Sequence, residues 1–144
     1  MSKGKSVNLA DFDTVVASNR GAELELTNPY DGTSLGVFIK MLGSNSTEWR
    51  EHVDERRNKT MRAAFQAQRG GKKQDAPTAA ELDREAVALL TRCTIGWRTG
   101  DEPVVNLGDE VLAFNHANVE KLYTSQIWVR EQVDEFVGEI ANFT

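Results

Sequence analysis

The segment Ala22–Leu42 leaves this chain the least freedom. Ala22-Glu-Leu-Glu-Leu-Thr27 alternates apolar and polar side chains, the pattern of a strand with one face buried and one wet. Asn28-Pro-Tyr-Asp-Gly-Thr33 supplies turn chemistry, with Pro29 setting φ early in the turn and Gly32 free to take φ > 0. Leu35-Gly-Val-Phe-Ile-Lys-Met-Leu42 returns as a second strand. The segment predicts a β-hairpin over 22–43, with Gly36 marking a bulge or a close backbone approach.

Beyond the hairpin the chain reads as helical. Gly43-Ser-Asn-Ser-Thr-Glu48 closes the hairpin and opens a basic helix over 46–69, capped by Asn45 or Ser46. Trp49, Val53, Met61 and Phe65 recur along it at multiples of four, and Arg57 interrupts the row, its stem covering apolar surface while its head reaches solvent. Arg69-Gly-Gly-Lys-Lys-Gln-Asp-Ala-Pro77 carries a linker over 70–77, and Thr78-Ala-Ala-Glu81 has the form of a capping box. Leu82, Ala86, Leu89, Leu90 and Cys93 predict the buried face of the next helix, which Gly96-Trp97 ends. Trp97–Glu110 reads as a loop with at most a brief extended stretch at Val104-Val105. Asn115 caps a short helix bearing Val119, Leu122 and Tyr123. After a break, a last helix aligns Val129, Val133, Phe136, Val137, Ile140 and Phe143 in a stripe that either closes the core or meets a partner.

The expectation is an α+β fold: an N-terminal β-hairpin followed by a mostly α-helical region of about four helices. It forms a single domain over 22–144, with 78–144 as its helical region, behind a flexible tail at 1–21.

Composition excludes several classes. At 144 residues, 27% charged and 40% hydrophobic, the chain reads as an ordinary globular domain that needs no disulfide or metal to stabilise its core. No run approaches the roughly 20 apolar residues of a spanning helix, and the first residues lack a signal-peptide core, so the expectation is a cytosolic protein without a membrane role. Cys93 is alone and reads as a buried small hydrophobe. His52 and His116 stand without partners at a recurring ligand spacing, so neither a metal nor a cofactor is expected. Asp101, Glu102, Asp109 and Glu110 lack the alternating ligands of a calcium loop, and the glycines at 70 and 71 lack the spacing of a phosphate loop. Ser44, Ser46 and Ser125 have no histidine arrangement and the carboxylates are scattered, so no catalytic residue is expected.

Charge is distributed unevenly. Arg56, Arg57, Lys59, Arg62, Arg69, Lys72 and Lys73 give +7 over 56–73 without an acid, although the whole chain is −5. From Glu81 onward 12 acids face 5 bases, for −7. Such a split permits a homo-oligomer or steers a charged partner. Nucleic-acid binding through 56–73 is a further possibility, weakened by the acidic whole and by the lack of a recognised nucleic-acid motif.

One resemblance gathers these segments. Thr91-Arg-Cys-Thr-Ile-Gly-Trp97, Phe114-Asn115 with Val119-Glu-Lys-Leu-Tyr123, Ile127-Trp-Val-Arg-Glu-Gln-Val-Asp134 and Asn142-Phe143 stand in an order that resembles the tail assembly chaperones of long-tailed bacteriophages. Leu24-Glu-Leu-Thr-Asn-Pro-Tyr-Asp-Gly-Thr-Ser-Leu-Gly36 is similar to the hairpin that opens several of them. The resemblance implies a non-enzymatic protein of the host cell cytoplasm that binds the tape measure protein, helps bring tail tube protein to it, and is absent from the finished virion. Binding a partner's helices and releasing them needs accessible apolar surface, and the candidate contact residues are Trp49, Arg56, Arg57, Phe65, Trp128, Val133, Phe136, Ile140 and Phe143. A structural tail or head-completion protein retained in the virion is the alternative.

Overall fold

The computed structural model describes residues 6–71 and 76–144. A 3-10 turn at Leu9–Phe12 leads into α1 (Thr14–Arg20), β1 (Ala22–Thr27), β2 (Ser34–Met41) and α2 (Thr47–Arg69). Then come α3 (Ala79–Cys93), β3 (Thr94–Thr99), β4 (Val104–Leu107), β5 (Glu110–Ala113), α4 (His116–Ser125), α5 (Ile127–Gly138) and a 3-10 turn at Ile140–Asn142. The chain is mixed α and β, but its order is not a hairpin followed only by helices. A helix precedes β1, and three further strands interrupt the helical half.

The hairpin forms as expected: β1 and β2 are antiparallel, with Leu24 opposite Ile39 and Ala22 opposite Met41. The register shifts between Glu25 and Thr27, where Leu26 of β1 alone faces Leu35, Gly36 and Val37, so the bulge is on β2. Gly36 sits in that bulge at φ +71, and a Cβ there would meet nothing within 4 Å, so the bulge and not a close backbone approach accounts for it.

Four expectations need correction. The segment expected as a flexible tail at 1–21 contains α1, because the Asp13 carboxylate accepts from Val15 and Val16 N–H and caps its first turn. Gly21 ends that helix at φ +81, where a Cβ would lie 2.9 Å from the Met41 carbonyl oxygen, so no other residue fits without strain. Second, Gly96-Trp97 does not end α3. The helix stops at Cys93, and Thr94–Thr99 becomes the third strand, antiparallel to β2 with Trp97 opposite Ile39. Third, the expected loop at 97–110 contributes a second sheet, with Val105 opposite Leu112 in the β4–β5 hairpin. Fourth, Leu82 and Ala86 of the expected α3 face are exposed; Leu90 and Cys93 are buried as expected with Leu89 half-buried, and Val87 and Thr91 complete the face. The linker expected over 70–77 falls largely outside the described residues, since 72–75 are not among them.

One core joins the inner face of the three-stranded sheet to the helices. Leu26, Ile39, Met41 and Trp97 meet Leu90 and Cys93 of α3, Val119, Leu122 and Tyr123 of α4, and Val129, Val133 and Val137 of α5. Each large apolar side chain buried fully contributes roughly 1.5–3 kcal/mol. A polar junction sits inside this core. Thr94 Oγ1 donates to the Leu90 carbonyl at 2.7 Å, and with that hydrogen spent, Tyr123 O–H donates to Thr94 Oγ1 at 2.7 Å. Burial raises the Tyr123 phenol above its ordinary range, so the hydroxyl stays protonated and keeps its donor role.

Candidate partner-binding surfaces

α2 runs antiparallel to α3 and is fastened to it by charge. Ser46 caps its first turn, accepting from Trp49 N–H at 3.2 Å. Arg92 near the end of α3 then reaches Glu48 at 2.8 Å, Glu51 at 3.1 Å and Glu55 at 3.1 Å, and Arg56 pairs with Glu85. The Glu48 contact, ahead of the other carboxylates, raises the Arg92 guanidinium above its ordinary range. Past Arg56 no described residue of α2 forms a hydrogen bond or ion pair with another element. The stretch Arg57–Arg69, about 20 Å at 1.5 Å per residue, is an arm.

The apolar row along α2 divides at that boundary for a geometric reason. Residues four apart lie 400° apart, so each step rotates the row by about 40°. Four steps carry Phe65 about 160° round the helix from Trp49. Trp49 packs against the core, whereas Met61 is 63% exposed and Phe65 is 61% exposed. Arg62 and Arg69 share the face of Met61 and Phe65, and the Arg69 guanidinium stands 5.8 Å from the Phe65 ring centroid. Arg57 pairs within its own helix with Asp54.

A second surface lies where α1 and the 3-10 turn before it meet the closing 3-10 turn. Phe12, Val16 and Ala17 line one side of a cavity of about 560 Å³, and Ile140, Ala141 and Phe143 line the other. Arg20 Nη1 donates to the Thr144 backbone oxygen at 3.4 Å across the same place. Phe12 is 68% exposed and Ile140 is 53% exposed, with Val16 exposed beside them. The sequence marks Phe12 to Val16 as a possible short element but does not mark it as a contact surface. The Asp13 cap followed by Thr14-Val-Val-Ala17 was the available signal.

A third feature is a groove of about 860 Å³ between α3, α4 and the start of α5, with Val87, Ala88, Phe114, Val119 and Ile127 among its lining. His52 and His116 also line it. Of its charged lining, Arg130 pairs with Asp83 at 3.3 Å and Arg92 with Glu48, Glu51 and Glu55, while Arg84 has no ion-pair partner among the described residues. Thr91 Oγ1 beneath it has no hydrogen-bond partner among the described residues, but it is sealed from the surface. Among the described residues no group of three or more His, Cys, Asp or Glu could hold a metal ion. Cys93 is fully buried, and desolvation pushes its thiol up to about 11, so it is neutral at physiological pH.

The candidate contact residues therefore separate. Val133 and Phe143 are core. Trp49, Trp128 and Phe136 are half-buried, with Trp128 Nε1 donating to Gln126 Oε1 at 3.2 Å and Phe136 set edge-on to Phe143 at 5.5 Å. Arg56 is held by Glu85, while Arg57 and Phe65 lie on the arm and Ile140 lies in the terminal patch. α5 also ends earlier than its stripe suggests, so Ile140 stands on the closing turn rather than on the helix. No family model, curated protein or solved structure matches the chain.

Proposed function

We propose that the chain is a tail assembly chaperone of a long-tailed bacteriophage, which binds the tape measure protein, helps recruit tail tube subunits, and leaves before the virion is complete. The observation that supports this most is the terminal patch: Phe12, Val16 and Ile140 stand open to solvent around one cavity although the core beneath is closed. Contiguous exposed apolar surface is the property needed to shelter apolar faces of an aggregation-prone helical partner. The residue order resembling that family supplies the identity of the partner.

The test is co-expression with the tape measure protein of the same genome. Soluble yield of that protein rises and the two co-purify; with Phe12→Ser and Ile140→Ser combined, the gain falls several-fold while the chaperone itself stays folded. Neither gain nor co-purification, with both proteins well expressed, overturns the reading. Detection of the chain at stoichiometric copy number in purified particles supports the retained structural protein instead.

A further inference from the structure

We propose that the chain self-associates through a contact between unlike surfaces, the basic arm of one copy docking on the acidic outer face of α5 in another. This goes beyond the chaperone reading and does not depend on it.

The arm face carries Met61 and Phe65 beside Arg62 and Arg69, with Lys59 at its border. Among the described residues none of these three basic side chains has an ion-pair partner. Surface on this chain of opposite sign is found on α5. Glu131, Asp134 and Glu135 are exposed on the side of that helix away from Val133, and Glu139 follows at its end. None of these four carboxylates pairs with a base among the described residues. Phe136 and Ile140 border the strip, so each surface joins charge of one sign to partly exposed apolar side chains.

Complementary unpaired charge is what commits the arm to a second copy rather than to the groove, where Asp83 is already paired with Arg130, and Arg84, of the arm's own sign, has no ion-pair partner among the described residues. The donor and acceptor faces differ, so the contact is heterologous and growth can continue past a dimer. Ionic steering of this type weakens as salt shortens the screening length from about 14 Å toward 4 Å.

Sedimentation velocity tests it with three proteins. Wild type is expected to form species larger than the monomer at about 0.05 M salt and to dissociate at about 0.5 M, a loss of at least tenfold in association constant. Lys59→Glu/Arg62→Glu/Arg69→Glu in the arm gives a monomer, as does Glu131→Lys/Asp134→Lys/Glu135→Lys in α5. Mixing the two reversed proteins restores association, because each then offers the charge the other lacks; all substituted positions are exposed, and circular dichroism confirms the folds. A monomeric wild type at low salt, unaltered association in either variant, no restoration on mixing, or dispersal of the assembly by nuclease overturns the proposal. An arm variant that stays monomeric yet still solubilises the tape measure protein separates this contact from the terminal patch.

Discussion

α2 and α5 carry the same sequence signal and reach opposite ends. Both place apolar residues four apart, Trp49 to Phe65 in one and Val129 to Val137 in the other. Two steps rotate the α5 row by only about 80°, so Val129, Val133 and Val137 stay on one face and are all buried. Four steps rotate the α2 row out of the core before it ends. The gap at Arg57 falls where the row is turning toward solvent. A spacing of four thus defines a core stripe only over a short helix. Over a long one it defines a slanted line whose far end needs another occupant.

The largest way to break this contrast is a carboxylate in each row. Val133→Asp places an unpaired charge where the side chain is 0% exposed, at a cost of several kcal/mol against a total of about 5–15 kcal/mol. The cooperative unfolding transition is expected to disappear in a urea titration. Phe65→Asp, on the arm, is expected to shift stability by no more than about 0.5 kcal/mol. Equal losses would show that the arm is packed and refute the division.

Tyr123→Phe asks how much the polar junction adds to the α4 side of the core. The Thr94 hydroxyl keeps its bond to the Leu90 carbonyl but loses the phenol donor, a loss of about 1–2 kcal/mol. A urea midpoint unchanged from wild type would reduce the junction to spectator status. Next in size is Arg92→Gln, which leaves Glu48, Glu51 and Glu55 without their shared cation and loosens α2 from α3 by about 1 kcal/mol. The loss is expected to shrink at high salt; a salt-independent loss would point to packing of the arginine stem instead.

What the sequence disclosed was local. The caps at Ser46, Thr78 and Asn115 lie next to the turns they close, and each accepts from a backbone N–H three residues on. The β1–β2 hairpin carries its own turn. β3 is not legible in the sequence because its reason for existing lies elsewhere: Thr94–Thr99 is extended by pairing with β2, more than 50 residues earlier, and Gly96 alone reads as a stop. The β4–β5 hairpin had a readable signal in Leu107-Gly-Asp-Glu110, where Gly108 takes φ +59 at the first position of a two-residue turn. The acids Asp101, Glu102, Asp109 and Glu110 around it make the segment read as a solvated loop. Of the candidate surface, the basic arm is legible from charge and periodicity, whereas the terminal patch needs residues 12–17 and 140–143 to be brought together.

The smallest expected effect tests the wet face of the sheet against its buried one. Arg98 on β3 forms a fork with Glu23 on β1, at 2.7 and 3.0 Å, and its guanidinium lies 3.9 Å from the Phe38 ring centroid on the strand between them. The hydrogen bond from Arg98, more than its charge, holds the Glu23 carboxyl below its ordinary value of 4.5. A carboxyl depressed in the folded state binds protons more readily when unfolded, so stability from this pair is present above 4.5 and is lost as pH falls through the folded value. Both side chains are 38% exposed, and water screens the pair, so the loss is small at any pH. Glu23→Gln keeps the shape and the Arg98 stacking on Phe38 while removing the titration. Its stability should fall slightly near neutral pH and decline less steeply than wild type below 4.5. Parallel acid limbs for the two proteins in urea titrations would show that the fork, despite its short distances, does not couple folding to pH.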